Sequence, residues 1–144
     1  MESLLPSESA RVLLAEPSLP YRRVIREALQ SFRQCVVDDA PNAERAFELA
    51  LQRHYHLYIF SFTLPDLSGV LLDRLLARAS PLVHQGTHSA PPVIFLTRLE
   101  DAQAFQTAQR DARHRGHLPY PPKLDALLTL THGLLPAHAS PAIP

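Results

Sequence analysis

Between Arg11 and Leu135, short apolar runs alternate five times with stretches of helical period. The runs are Arg11–Ala15 (RVLLA), Gln34–Asp38 (QCVVD), Leu57–Ser61 (LYIFS), Val93–Thr97 (VIFLT) and a shorter one at Gly116–Pro119. Runs of four to eight residues with no polar alternation suit strands buried on both faces. After the first run, Ser18 can cap a helix with Pro20 in its first turn. Tyr21, Val24, Ile25, Ala28, Leu29 and Phe32 then recur at helical spacing. Pro41–Asn42 opens a second helix with Ala43, Ala46, Phe47, Ala50 and Leu51 on one stripe, and Val70–Ala79 is a leucine-rich third. Asp101–Arg113 is a weaker fourth helix and Lys123–Leu135 the last. Ser80 to Pro92 has Pro, Gly, Ser and His without a period and reads as an exposed, mobile loop. Strand and helix in strict alternation imply a parallel sheet covered on both faces, wound by right-handed crossovers.

Composition narrows the function classes. Lys+Arg and Asp+Glu number 14 each, so the formal net charge is zero. A domain that grips nucleic acid by its phosphates needs a basic excess, so nucleic-acid binding through this domain is disfavoured. A single cysteine, Cys35, excludes an internal disulfide and a cysteine-built zinc site, and reads as a buried strand residue. The eight histidines form no tight ligand pattern and read as surface residues. No apolar stretch is long enough to span a bilayer. The N-terminus has Glu2 and no basic segment before a hydrophobic one, so no signal peptide is expected and the chain reads as cytoplasmic. The expected organisation is a tail over 1–9, a domain over 10–135 and a disordered tail or linker over 136–144.

Sheets of this kind carry their sites beyond the carboxyl ends of the strands. The residues there are Glu16 and Pro17, Ser61, Thr97, and Tyr120 with Pro121. Four segments with these residues, Val12–Ser18 (VLLAEPS), Leu57–Gly69 (LYIFSFTLPDLSG), Pro91–Thr97 (PPVIFLT) and Gly116–Leu128 (GHLPYPPKLDALL), stand in an order that resembles the receiver domains of bacterial two-component response regulators. The resemblance covers Arg11 to Leu135. It implies a five-stranded parallel α/β fold, flavodoxin-like, with strand order 2-1-3-4-5.

Receiver domains carry two acidic residues after the first strand for a divalent metal, and an aspartate ending the third for the phosphoryl group. A Thr or Ser ends the fourth strand, and a Lys, usually followed by a cis proline, ends the fifth. A carboxylate can attack phosphorus, and a metal ion and a lysine neutralise the growing charge. Carried onto this chain, the pattern puts Ser61 at the phosphoacceptor position, four residues before Pro65. It puts Glu16 and Pro17 at the acidic pair, Thr97 at the hydroxyl position, Tyr120 at the Lys position, Pro121 at the cis-proline position and His117 at the aromatic switch. Asp38–Asp39 imitates the acidic pair, but it lies too close to Ser61 for a helix and a second strand to intervene, and belongs to the end of strand two.

Three of five active positions are thus altered, and the losses agree with one another. Without an aspartate or phosphate, a buried lysine would be an unpaired charge, and tyrosine removes that cost. Glu16 alone is at most a weak Mg²⁺ ligand; the preferred reading has its carboxylate accept a hydrogen bond from the Tyr120 or Ser61 hydroxyl. Lys123, the only lysine, would restore an active site if it swung back. The expected function is a phosphorylation-independent, receiver-like interaction module in bacterial signalling or transcription control, with no cofactor and no enzymatic activity. The alternative is a receiver still switched by phosphoryl transfer or by a small ligand at the Glu16, Ser61 and Thr97 pocket. The expected partner is a protein: a kinase, a regulator or an output domain. The resemblance also implies a face on the fourth helix, fifth strand and fifth helix, where Phe105, Arg110, Arg113 and Arg115 would meet a partner or a second copy.

Overall fold

The structure is a computed structural model and describes residues 9–84, 86, 89–107 and 113–137. Five strands, β1 (Ala10–Ala15), β2 (Cys35–Ala40), β3 (Leu57–Ser61), β4 (Val93–Thr97) and β5 (His114–Pro119), form one sheet in the order β2-β1-β3-β4-β5. Every pairing is parallel. The helices are α1 (Leu19–Phe32), α2 (Ala43–Gln52), α3 (Gly69–Val83), α4 (Ala102–Thr107) and α5 (Leu124–Thr131). The alternation of runs predicts such a parallel sheet with helices on both faces, and the flavodoxin-like order is the one the resemblance implies.

The two faces of the sheet make two cores. Leu13, Ala15, Tyr58, Phe60 and Phe95 point toward α2 and α3; Val12, Leu14, Ile59, Ile94 and Leu96 point toward α1 and α5. All five residues of β3 and of β4 are buried, so apolar side chains are needed on both faces and no polar alternation appears. The helix starts follow their caps. Ser18, Asn42 and Ser68 each accept the backbone N–H three residues on, at Tyr21, Arg45 and Leu71.

Several element boundaries differ from the sequence expectation. α3 continues past Ser80 through Pro81 to Val83, where a loop is expected. Proline forfeits one helical N–H, but Ser80 is buried and its carbonyl receives the His84 N–H, so packing holds the last turn. β2 runs on to Asp39 and Ala40, which pair with Leu14 and Ala15. α5 ends at Thr131 rather than Leu135: Gly133, at φ +82°, reverses the chain, and the Leu134 and Leu135 amides bond back to the Thr131 carbonyl. The leucines at 134 and 135 therefore meet the core from a turn. Pro136 and Ala137 depart from the expected tail, since the Pro136 carbonyl accepts the Gln34 N–H at 2.9 Å and Ala137 bridges to Arg33. Residues 108–112 of the expected fourth helix and 138–144 of the tail lie outside the described residues. Cys35 is half-buried on the edge strand rather than buried, and burial pushes its thiol up to about 11. Among the described residues no helix is long and apolar enough to cross a membrane.

Candidate functional site at the carboxyl ends of the strands

β1, β3 and β5 bring Glu16, Ser61 and Tyr120 together. Glu16 and Ser61 are each 1% exposed. The Tyr120 hydroxyl donates to Glu16 Oε1, and it lies 3.0 Å from Ser61 Oγ, which donates to the Thr63 carbonyl at 3.0 Å. The other Glu16 oxygen accepts the Ser18 N–H at 2.7 Å. A buried carboxylate needs donors, and here a phenol and an amide supply them. Burial and the bond to Glu16 both push the Tyr120 phenol above its ordinary range, so it is a hydrogen-bond donor at neutral pH. The preferred expectation for Glu16 matches this geometry, and the Tyr120–Pro121 peptide is cis.

Tyr120 has two further neighbours at its ring. Its ring centroid lies 5.2 Å from that of Tyr21, and the Arg98 guanidinium sits 5.9 Å above it. Pro17 contributes only its carbonyl, which with that of Glu16 accepts from the Arg22 guanidinium. Arg22 also pairs with Asp39, while Asp38 takes Arg11, Arg53 and the Tyr55 hydroxyl. The imitation acidic pair on β2 is consumed by these partners.

Thr97 belongs to a separate network. Its Oγ1 lies 3.0 Å from His117 Nδ1, and the His117 ring lies 4.6 Å from the Phe105 ring. Gly69 sets the loop between β3 and α3. A Cβ there would meet the Ser61 carbonyl oxygen at 2.1 Å, so only glycine allows the helix start to close over the strand end.

The donor set does not fit Mg²⁺. Glu16 is the carboxylate that Tyr120 links to Ser61, and both its oxygens are engaged. Among the described residues no three His, Cys, Asp or Glu side chains could hold a metal ion. Mg²⁺ demands an octahedral set of oxygens and usually more than one carboxylate at such a site. Lys123 does not restore the charge: it is exposed at the start of α5, where its carbonyl accepts the Leu127 N–H and its side chain caps nothing. It lines a cavity of about 390 Å³ with Leu118, Pro119, Tyr120, Pro121 and Ala126.

The expected partner face is corrected at two of its four residues. Phe105 is 7% exposed and packs edge-on against Phe62 and Phe95, so its ring is core. Arg113 forms a two-pronged ion pair with Asp73 at 3.0 and 2.7 Å, and it bonds the Pro91 carbonyl. Asp73 is 1% exposed, and its charge needs that partner. Arg115 is exposed, and Arg110 lies outside the described residues. The histidines are not all surface residues either: the His114 side chain is 8% exposed, with Nε2 3.3 Å from Asp73 Oδ2. Sequence reasoning missed Asp73, because a buried acid on a leucine-rich helix announces no partner forty residues away.

No protein-family model and no curated protein matches this chain. Solved structures do. The chemotaxis response regulator CheY4 of Vibrio cholerae is 21% identical with a TM-score of 0.71, covering 88% of this chain and 99% of that one. The receiver domain of AraT, a response regulator from Geobacillus stearothermophilus, is 23% identical with a TM-score of 0.71, covering 88% and 92%. The signal receiver domain of an HD domain-containing protein from Pseudomonas fluorescens is 19% identical with a TM-score of 0.73, covering 88% and 94%. At these identities the likeness establishes the fold: the chain is built as receiver domains are.

Proposed function

We propose that this chain is a receiver-type interaction module of bacterial signal transduction or transcription control that works in the cytoplasm without phosphoryl transfer. The observation that carries the reading is the closed Glu16–Tyr120–Ser61 network. A phenol stands at the position where the resemblance implies lysine, and a serine stands where it implies the nucleophilic carboxylate. A serine hydroxyl cannot form an acyl phosphate, and among the described residues the Ser61 hydroxyl is bonded only to the Thr63 carbonyl and the Tyr120 phenol, neither a general base. The module presents a protein surface, to a kinase, a regulator, an output domain or a second copy, and catalyses no reaction. Glu16, Pro17, Ser61, Thr97, His117, Tyr120 and Pro121 are then the positions of a phosphorylation site that has lost its chemistry.

The test is an NMR titration of the full chain with Mg²⁺ and then beryllofluoride, a phosphoryl mimic. The expected result is flat amide spectra near Glu16, Ser61 and Thr97 at about millimolar Mg²⁺. Saturable shifts that spread from Ser61 to His117 and α5 would overturn the reading in favour of a receiver still switched by phosphate. The cavity beside Tyr120 and Lys123 supports one other reading, a small anionic ligand as the switch. Saturable shifts confined to Tyr120, Lys123 and Ala126 with beryllofluoride, and none with Mg²⁺ alone, would favour it.

A further inference from the structure

α2 and α3 lie side by side and leave between them a groove of about 320 Å³ that the strand-end site does not use. Phe47, Leu67, Leu72 and Leu75 give it an apolar lining. The apolar surface continues onto the flanking turns, where Leu51, Leu71 and Leu75 are 37%, 44% and 41% exposed. Ala43, Glu44, Glu48 and Asp66 complete the lining, and among the described residues no basic side chain belongs to it. Arg45 pairs with Glu48 at 3.2 Å from outside the groove. Asp66 also accepts the Ala43 and Glu44 N–H groups, which outweigh its partial burial and hold its carboxyl below the ordinary range.

The geometry points to this groove as the docking site for a cationic amphipathic helix of a partner protein, an inference that rests on the interaction-module reading. An apolar trough between two helices is filled by side chains at i, i+3 or i+4, and i+7 of a third. An acidic rim selects lysine or arginine on that helix's flank and raises the rate of encounter. The rim also argues against a second copy. A two-fold contact through this face would set the acidic rim, Glu44 and Glu48 included, against its own copy. The groove adjoins the degenerate site, since Asp66 lies in the loop that follows Ser61 and Thr63.

The test titrates the full chain with two synthetic helical peptides of equal apolar content, one carrying lysine and one glutamate on the polar flank. The lysine peptide is expected to shift the amides of Phe47, Leu67 and Leu75, and to bind at least about tenfold tighter than the glutamate peptide. Leu75→Asp, and separately Glu44→Lys with Glu48→Lys, should each weaken it about tenfold or more with the unfolding midpoint unchanged. Should Leu75→Asp unfold the chain, the surface charge reversal alone decides. Equal binding of the two peptides, shifts elsewhere, or no effect of charge reversal would overturn the inference. So would sedimentation showing a dimer that Leu75→Asp dissolves, which would make a second copy the occupant. The beryllofluoride titration uses no peptide, so failure of the parent reading is seen separately.

Discussion

A phenol and an ammonium make different demands at the end of β5. The ammonium needs an anion close by, whereas the phenol needs only an acceptor, and Glu16 provides one. Tyr120→Phe should therefore cost about 1–3 kcal/mol in urea unfolding, because it leaves a buried carboxylate with one donor fewer. Glu16→Gln on the Phe background should cost less than on the native one, and a double-mutant cycle measures the difference. Tyr55, Tyr58 and Tyr120 all have phenols raised by burial. The unfolded chain would ionise them near 10, so their contribution to stability is complete below that pH and is lost as pH rises above it. Ultraviolet titration should show these three ionising only with unfolding. His54 works in the opposite direction. Burial and the neighbouring His56 and His84 rings lower its pKa below 6.5. Its contribution is present above that value and is lost as pH falls, since the unfolded chain then binds more protons. His54→Gln should flatten the acid side of the stability profile between about pH 7 and about pH 5.

At the scale of elements, two joints hold the helices to the sheet. The first is Gly69, where α3 begins against the Ser61 carbonyl. Gly69→Ala must push α3 off the strand end and should cost about 2 kcal/mol or more by thermal unfolding. The second is Asp73 on α3 with Arg113, immediately before β5. Arg113→Met leaves a buried carboxylate without its cation and should cost about 3–5 kcal/mol. Adding Asp73→Leu should recover much of that loss, which a chemical-denaturation series on both variants checks. The second joint also shows why the Arg113 side chain is turned away from the expected partner face. A basic run after an amphipathic segment reads as a solvated face, yet one arginine turns inward because α3 places an acid beneath it.

At the scale of the whole molecule, β1, β3 and β4 are covered by helices on both sides, and β2 and β5 are the edges. Amides of the central strands should exchange with solvent only through global unfolding, while those of β5, where exposed residues alternate with covered ones, should exchange sooner. Hydrogen exchange read by NMR distinguishes the two classes.

The alternation of apolar runs determined the parallel sheet and the identities of the strand-end residues, and the resemblance to receiver domains supplied its order. β3 and β4 match their runs residue for residue, because strands buried on both faces leave no latitude in which side chains are apolar. The resemblance likewise placed Glu16, Ser61 and Tyr120 at the carboxyl ends of β1, β3 and β5. Tertiary structure alone decided that α3 crosses Pro81 and that Asp73 reaches Arg113, whereas the stop of α5 at Thr131 is a local glycine cap at Gly133. Local period and capping are written in neighbouring residues, whereas burial of a charge, or of a turn beyond a proline, depends on what a distant segment packs against it.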